Sequence, residues 1–120
     1  VTRCPHCKPG DPCERHFQES VIDSAHVWGW RVAHFRPAQT SKGWRTPVAA
    51  DGAGFPDLIL IRGSELLALE LKRKGGSMTV AQGEWIDAFR QVGQVTALCL
   101  SPVDWPMIEA ALGHETERDP

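Results

Sequence analysis

The sequence predicts a single α/β domain in which a mixed central sheet is flanked by helices, with the element order αβββαβα. Three features carry that prediction: a hairpin signature over residues 57–72, an amphipathic segment on either side of it, and a strand pattern after the second helix that makes a parallel crossover. At 120 residues, with 42% hydrophobic and 23% charged residues, the chain suffices for one core and leaves no room for two. Its apolar runs fall far short of the roughly 20 residues that a membrane span needs. A charged n-region followed by an apolar h-region is missing from the N-terminus, so a cytoplasmic, membrane-free protein is expected.

Residues 1–16 form a Cys/His-rich N-terminal segment whose first dozen residues, rich in Cys, Pro and Gly, carry no regular period. A helix is expected from about Cys13 or Glu14. Phe17, Val21, Ala25 and Trp28 recur at helical spacing and form its buried stripe until Gly29 ends it; Glu14, three residues before Phe17, lies on the same stripe. Trp30 to Phe35 reads as a strand, and Pro37 to Pro56 as a long polar loop punctuated by Gly43, Pro47, Gly52 and Gly54. A loop of that length in so small a domain is usually functional.

Asp57 to Arg62 and Glu65 to Lys72 are strand-like runs joined by Gly63-Ser64, the signature of a two-residue hairpin turn. If Arg62 faces Glu65, then Asp57 falls directly opposite Glu70 on one face of the sheet, with Cβ atoms about 5 Å apart. Because side chains alternate along a strand, Lys72 joins Glu70 while Leu67, Leu69 and Leu71 take the other face. After Gly75-Gly76, Thr79 is expected to cap a helix running to about Val92, with Trp85, Ile86 and Phe89 inward and Gly93 as its stop. Val95 to Leu100 reads as a further strand with Cys99 as a core residue, Pro102 to Leu112 as a short last helix, and residues 113–120 as an acidic tail.

Two opposed carboxylates repel unless a cation sits between them. A divalent ion supplies it, and oxygen ligands select Mg²⁺ or Mn²⁺. The plain alternative is a surface ladder of Glu70 and Lys72. The net charge of −2 argues against a polyanionic partner, but the distribution of charge reverses that impression. No acidic residue occurs between Asp23 and Asp51, where Arg31, Arg36, Lys42 and Arg45 fall with His26 and His34, and a second basic run follows at Lys72, Arg73 and Lys74.

Cys4-Pro-His6-Cys7 and Cys13-Glu-Arg-His16 give a C-x2-C followed by a C-x2-H one helical turn apart. Four such ligands suit a structural zinc with every position filled by protein, which would staple the segment to the first helix and fix the direction of Glu14. A disulfide and free thiols are the competing readings; the first is disfavoured in a reducing compartment.

Pro56-Asp57 with Glu70-Leu71-Lys72 resembles the PD-(D/E)XK nuclease superfamily, and specifically its VRR-NUC group of small, often phage-borne nucleases. The likeness covers residues 14–112 and includes Phe17-Gln18, Gly29-Trp30-Arg31-Val32, His34-Phe35-Arg36-Pro37, Gly43-Trp44-Arg45-Thr46-Pro47 and Gly54-Phe55-Pro56-Asp57-Leu58. The bare acidic triplet is common by chance; the ordered flanking words are the specific signal.

The resemblance implies a restriction-endonuclease-like αβββαβ core and a phosphodiesterase using one or two Mg²⁺ ions, in a bacterial or phage-infected host. It assigns metal binding to Asp57, Glu70, the Leu71 carbonyl and Glu14, with Glu19 as a solvated competitor to Glu14. Lys72 would activate the attacking water, and Gln82 would face the site, although it is also an ordinary first-turn polar residue. His34, Arg36, Lys42, Arg45, Arg73 and Lys74 become candidates for phosphate contacts, and Trp44 for stacking on a base. The expected function is therefore a Mg²⁺-dependent DNA endonuclease acting on branched DNA, such as four-way junctions, as a homodimer. The alternative is a zinc-bearing DNA-binding accessory module without catalysis. A sequence-specific restriction enzyme is a third reading, but 120 residues leave no evident target-recognition region.

Overall fold

The computed structural model describes residues 4–35, 38–40, 43–45 and 48–113, the two three-residue segments by their backbone alone. The described elements are α1 (Glu14–Val27), β1 (Arg31–His34), β2 (Ala38–Thr40), β3 (Gly43–Arg45), β4 (Leu58–Arg62), β5 (Glu65–Leu71), α2 (Val80–Gln91), β6 (Val95–Leu100) and α3 (Trp105–Gly113). β1, β4, β5 and β6 form one mixed sheet in the order β1-β4-β5-β6, antiparallel except for the β5–β6 pair. The long loop expected after β1 contains a small antiparallel hairpin, in which Ala38 pairs with Arg45.

The β4–β5 hairpin has the expected register, with Arg62 opposite Glu65 and Leu58 opposite Leu69. Gly63 takes φ +58 and Ser64 does not enter the left-handed region, which is the turn form that needs glycine first. Alternation then divides β5 between two cores. Leu67, Leu69 and Leu71 pack with Leu58 and Leu60 against Phe17, Val21 and Ala25 of α1 and Ile108 and Leu112 of α3. On the other face Ala68 and Ala97 meet Ile86 of α2, with Ile59, Met78 and Phe89 around them. The result is a four-strand mixed sheet flanked by helices on both faces.

α1 ends as Gly29 predicts. Gly29 has φ +83, its N–H donates to His26 O at 3.1 Å, and Trp30 N–H reaches back to Ala25 O at 3.0 Å. This reversal places Trp30 in the core and leaves Trp28 at the helix cap, 45% exposed, rather than on the buried stripe. Arg62 then ties two helix ends together. One of its nitrogens donates to Trp28 O at 3.0 Å and Leu112 O at 2.9 Å, while the guanidinium lies 4.4 Å over the Trp30 ring and pairs with Glu65. A cation at two helix C-termini opposes both of their negative poles.

Two further boundaries differ from expectation. At the end of α2 the left-handed residue is Gln94, with φ +69, rather than Gly93. Residues 102–104 form a separate 3₁₀ turn before α3, because Asp104 caps the backbone of Ser101 at 2.9 Å. Among the described residues, no helix is long and apolar enough to cross a membrane.

Candidate functional site

The carboxylate site forms at the end of the sheet where β4 begins and β5 finishes. Asp57 immediately precedes β4 and is fixed from two directions. Its carbonyl accepts Phe35 N–H at 2.9 Å, and its Oδ2 accepts Leu71 N–H at 2.9 Å. The loop that delivers it is clamped by rings. Phe55 stacks edge-on to Phe35 and Trp85 with centroids 4.9 and 5.0 Å away, and the Trp85 indole donates to the carbonyls of Asp51 and Ala53 at 3.1 Å. Gly54 lies so close to α2 that a Cβ there would sit 2.6 Å from the Ala81 carbonyl carbon. Of the residues expected to point inward, Ile86 is buried, Phe89 packs beside it while touching the Phe55 ring, and Trp85 serves this loop.

Glu70 is 1% exposed. Its Oε1 accepts the Gln82 side-chain N–H at 3.1 Å and faces Lys72 Nζ at 3.6 Å. Its Oε2 is buried with no hydrogen-bond partner. Burial first, and then the Asp57 carboxylate, push the Glu70 carboxyl up to about 8, with Lys72 opposing. The carboxyl of Glu14 is raised in the same way, by partial burial and then by Asp57, again with Lys72 opposing. Glu14 is thus electrostatically part of the site, although as the first residue of α1 it is open to solvent rather than turned into the core.

An orphaned buried carboxylate oxygen beside a second carboxylate is a place that a hard cation fits. Asp57 and Glu70 supply oxygen donors for it. Among the described residues, Glu14 does not converge with them as tightly as the cysteine and histidine ligands below converge with one another. Leu71 contributes its N–H to Asp57, and Gln82 bonds Glu70 while completing the capping box of α2.

The second cluster lies at the start of α1. Cys4, Cys7, Cys13 and His16 bring their ligand atoms within 4.8 Å of one another, a group that can hold a metal ion. Cys4 Sγ is 4.0 Å from Cys13 Sγ, and His16 Nδ1 is 3.1 Å from Cys7 Sγ and 3.3 Å from Cys13 Sγ. Backbone amides point at the sulfurs: Cys13 N–H donates to Cys7 Sγ at 3.2 Å, and the amides of His6 and His16 pull the Cys4 and Cys13 thiols down. The turn between the two ligand pairs is closed by reciprocal Lys8–Asp11 backbone bonds of 2.9 and 2.8 Å.

None of the protein-family models and none of the curated proteins searched matches this chain. Its chemistry is therefore read from its own residues.

The expected phosphate contacts separate into three groups. His34, the last residue of β1, has Nε2 3.1 Å from Oε1 of the buried Gln18, as a half-buried strand histidine would. Arg73 turns to the N-terminal segment, with contacts to His6 O at 3.1 Å and Asp11 at 3.7 Å, while Lys74 is exposed in the following turn. Arg36 and Lys42 lie outside the described residues, as does the tail from residue 114. Arg45 and Trp44 are placed in β3 by backbone alone. Cys99 is only half-buried and stands opposite Glu70 in the β5–β6 pairing. Sequence reasoning gave no role to Asp11 or to the Phe35–Phe55–Trp85 stack. The former carries no motif; the latter could have been sought in the aromatics that flank the loop.

Proposed function

We propose that this chain is a Mg²⁺- or Mn²⁺-dependent DNA endonuclease with a restriction-endonuclease-like core of the VRR-NUC type. The single observation that carries the reading is the buried Glu70 with one unpartnered oxygen, set against Asp57 and Lys72 at the mouth of the sheet. A metal ligand needs a free lone pair in the apo protein, and Asp57, close enough to raise the Glu70 carboxyl, supplies a second oxygen donor.

Asp57 and Glu70 would hold the ion, with the Leu71 carbonyl and Glu14 completing its surroundings. When bound, a divalent ion neutralises charge on phosphate oxygens and acidifies water. Asp57 is kept in place by Leu71 and Phe35, so its ligand oxygens do not need to be ordered at binding. Gln82 holds the Glu70 rotamer from one side. Lys72 Nζ is left to orient the attacking water and to offset the negative charge developing on the scissile phosphate. Arg36, Lys42, Arg45, Lys74 and, at the rim, His34 would contact the strand backbone, with Trp44 stacking on a base. One site cuts one strand, so cleavage of a four-way junction calls for a homodimer.

The Cys4, Cys7, Cys13 and His16 group would hold zinc with no open position, and its role is therefore structural. Its geometry keeps the second reading in view, a zinc-bearing DNA-binding module without catalysis. Lys72→Ala separates the two. The nuclease reading expects cleavage to be lost with DNA binding retained; cleavage unchanged in the variant removes Lys72 from the chemistry.

A further inference from the structure

We propose that zinc on Cys4, Cys7, Cys13 and His16 acts as the N-terminal cap of α1 and, through an Asp11–Arg73 latch, sets the geometry of the carboxylate site. The meaning of that site rests on the nuclease reading above; the zinc cap does not.

Three of the six ligand–ligand distances lie near those of a tetrahedron, and all six fall within 4.8 Å. Zinc–sulfur bonds of about 2.3 Å and zinc–nitrogen bonds of about 2.0–2.1 Å put neighbouring sulfurs about 3.8 Å apart and a sulfur and nitrogen about 3.6 Å apart. The observed edges are 4.0 Å between Cys4 and Cys13 and 3.1 and 3.3 Å from His16 to two sulfurs. A small adjustment closes the shell. A Cys4–Cys13 disulfide would instead leave Cys7 and His16 facing each other with no purpose.

The helix needs such a device. The first turn of any α-helix has amides without intrahelical partners. Cys13, the N-cap of α1, offers the His16 amide at the third helical position only a sulfur, a weak acceptor. Metal ligation makes its sulfur a thiolate at the positive end of the helix, where negative charge is favoured. Cys13 and His16 are three residues apart and share a face, so an ion bound to both fixes the rotation of the first turn. Glu14 lies between them, rotated off the zinc face.

The link to the carboxylates runs through Arg73. Lys72 shares the Glu70 face, and the next residue turns the other way. Arg73 donates to the carbonyl of His6, inside the C-x2-C turn, and pairs with Asp11, in the turn between Cys7 and Cys13. Both of its anchors therefore belong to the loop that zinc would organise, and that loop is mostly exposed with no apolar core of its own. The latch joins the zinc loop to the residue beside Lys72. Arg73 is a positioning residue in this account.

The test combines zinc content with Mg²⁺ binding in the absence of nucleic acid, read as the midpoint of a calorimetric Mg²⁺ titration of the folded protein. Wild type, Asp11→Asn, Arg73→Gln and the exchanged pair Asp11→Arg/Arg73→Asp are compared; these keep the zinc ligands and avoid the unfolding that a Cys13 variant risks. One zinc per chain is expected in all four. The Mg²⁺ midpoint should rise about two- to five-fold in the single variants, the range of a partly exposed ion pair, and recover in the exchanged pair. Removing zinc should also raise hydrogen exchange in the first turn of α1. Wild type with no zinc, or with a Cys4–Cys13 disulfide, overturns the cap. Equal midpoints in wild type and Arg73→Gln overturn the latch while the nuclease reading stands. A wild type indifferent to Mg²⁺ removes that reading and the coupling with it, leaving the cap to be judged on zinc content and exchange.

Discussion

The Gln82 side chain bonds Glu70 and caps α2 at the same time. Its amide N–H donates to Glu70 Oε1 at 3.1 Å, while its carbonyl oxygen accepts Thr79 N–H at 2.8 Å. The first-turn helix residue and the site residue are thus one side chain, and the cap determines where Glu70 is held. Gln82→Ala should lower stability by about 1–2 kcal/mol, from the lost capping partner and the lost hydrogen bond, and should weaken Mg²⁺ binding. Gln82→Glu keeps the capping oxygen but sets a carboxylate against Glu70. Urea denaturation with and without Mg²⁺ checks this: the glutamate variant should regain helix stability without regaining the affinity of wild type.

Gly54 is required twice over. Its φ is +81, and an added Cβ would lie 2.6 and 2.7 Å from backbone atoms of Ala81 and Gln82. Neither neighbour is a flexible side-chain end, so the loop must move away from α2. Gly54→Ala should cost about 2–4 kcal/mol, measured by urea denaturation, and should displace Asp57. A neutral substitution would show that the loop does not position the carboxylate.

The metal-free protein should become less stable as pH rises. Glu70 in the folded chain is pushed from the ordinary 4.5 up to about 8, so between those values the folded state holds a proton that the unfolded state releases. Stability from this group is complete below pH 4.5 and is lost as pH climbs through 8, by an amount on the order of a few kcal/mol. Glu70→Gln removes the dependence and should be more stable than wild type at pH 8. Added Mg²⁺ should stabilise wild type and leave the variant unmoved. Melting curves across this pH window decide the matter; equal slopes in both proteins would mean that Glu70 does not carry the proton.

How much of this could be read in advance follows from the range of each interaction. The Arg62–Glu65 register is local, because a two-residue turn leaves one pairing, and it runs to Leu58 opposite Leu69, the positions next to Asp57 and Glu70. Gly29 and Thr79 act within a turn of their own helices and were equally legible. What was hidden is non-local. Trp28 and Trp30 look interchangeable in the sequence, and only the reversal at Gly29 decides which enters the core. Arg73 sits in a basic run, and nothing before the fold is known shows that Asp11 lies beside it. Cys99 reads as an apolar strand residue, whereas the parallel crossover sets it opposite Glu70.

In the proposed function, Asp57, Glu70 and Lys72 hydrolyse DNA with a divalent ion. The direct measurement is cleavage of linear duplex, single-stranded, flap and four-way-junction DNA by purified protein in Mg²⁺, Mn²⁺ or EDTA, beside Glu70→Gln. Cutting should require the divalent ion, be strongest on the branched substrate, and be lost in the variant while its fold and DNA binding remain. Folded wild-type protein that binds these DNAs in Mg²⁺ and cuts none of them would contradict it.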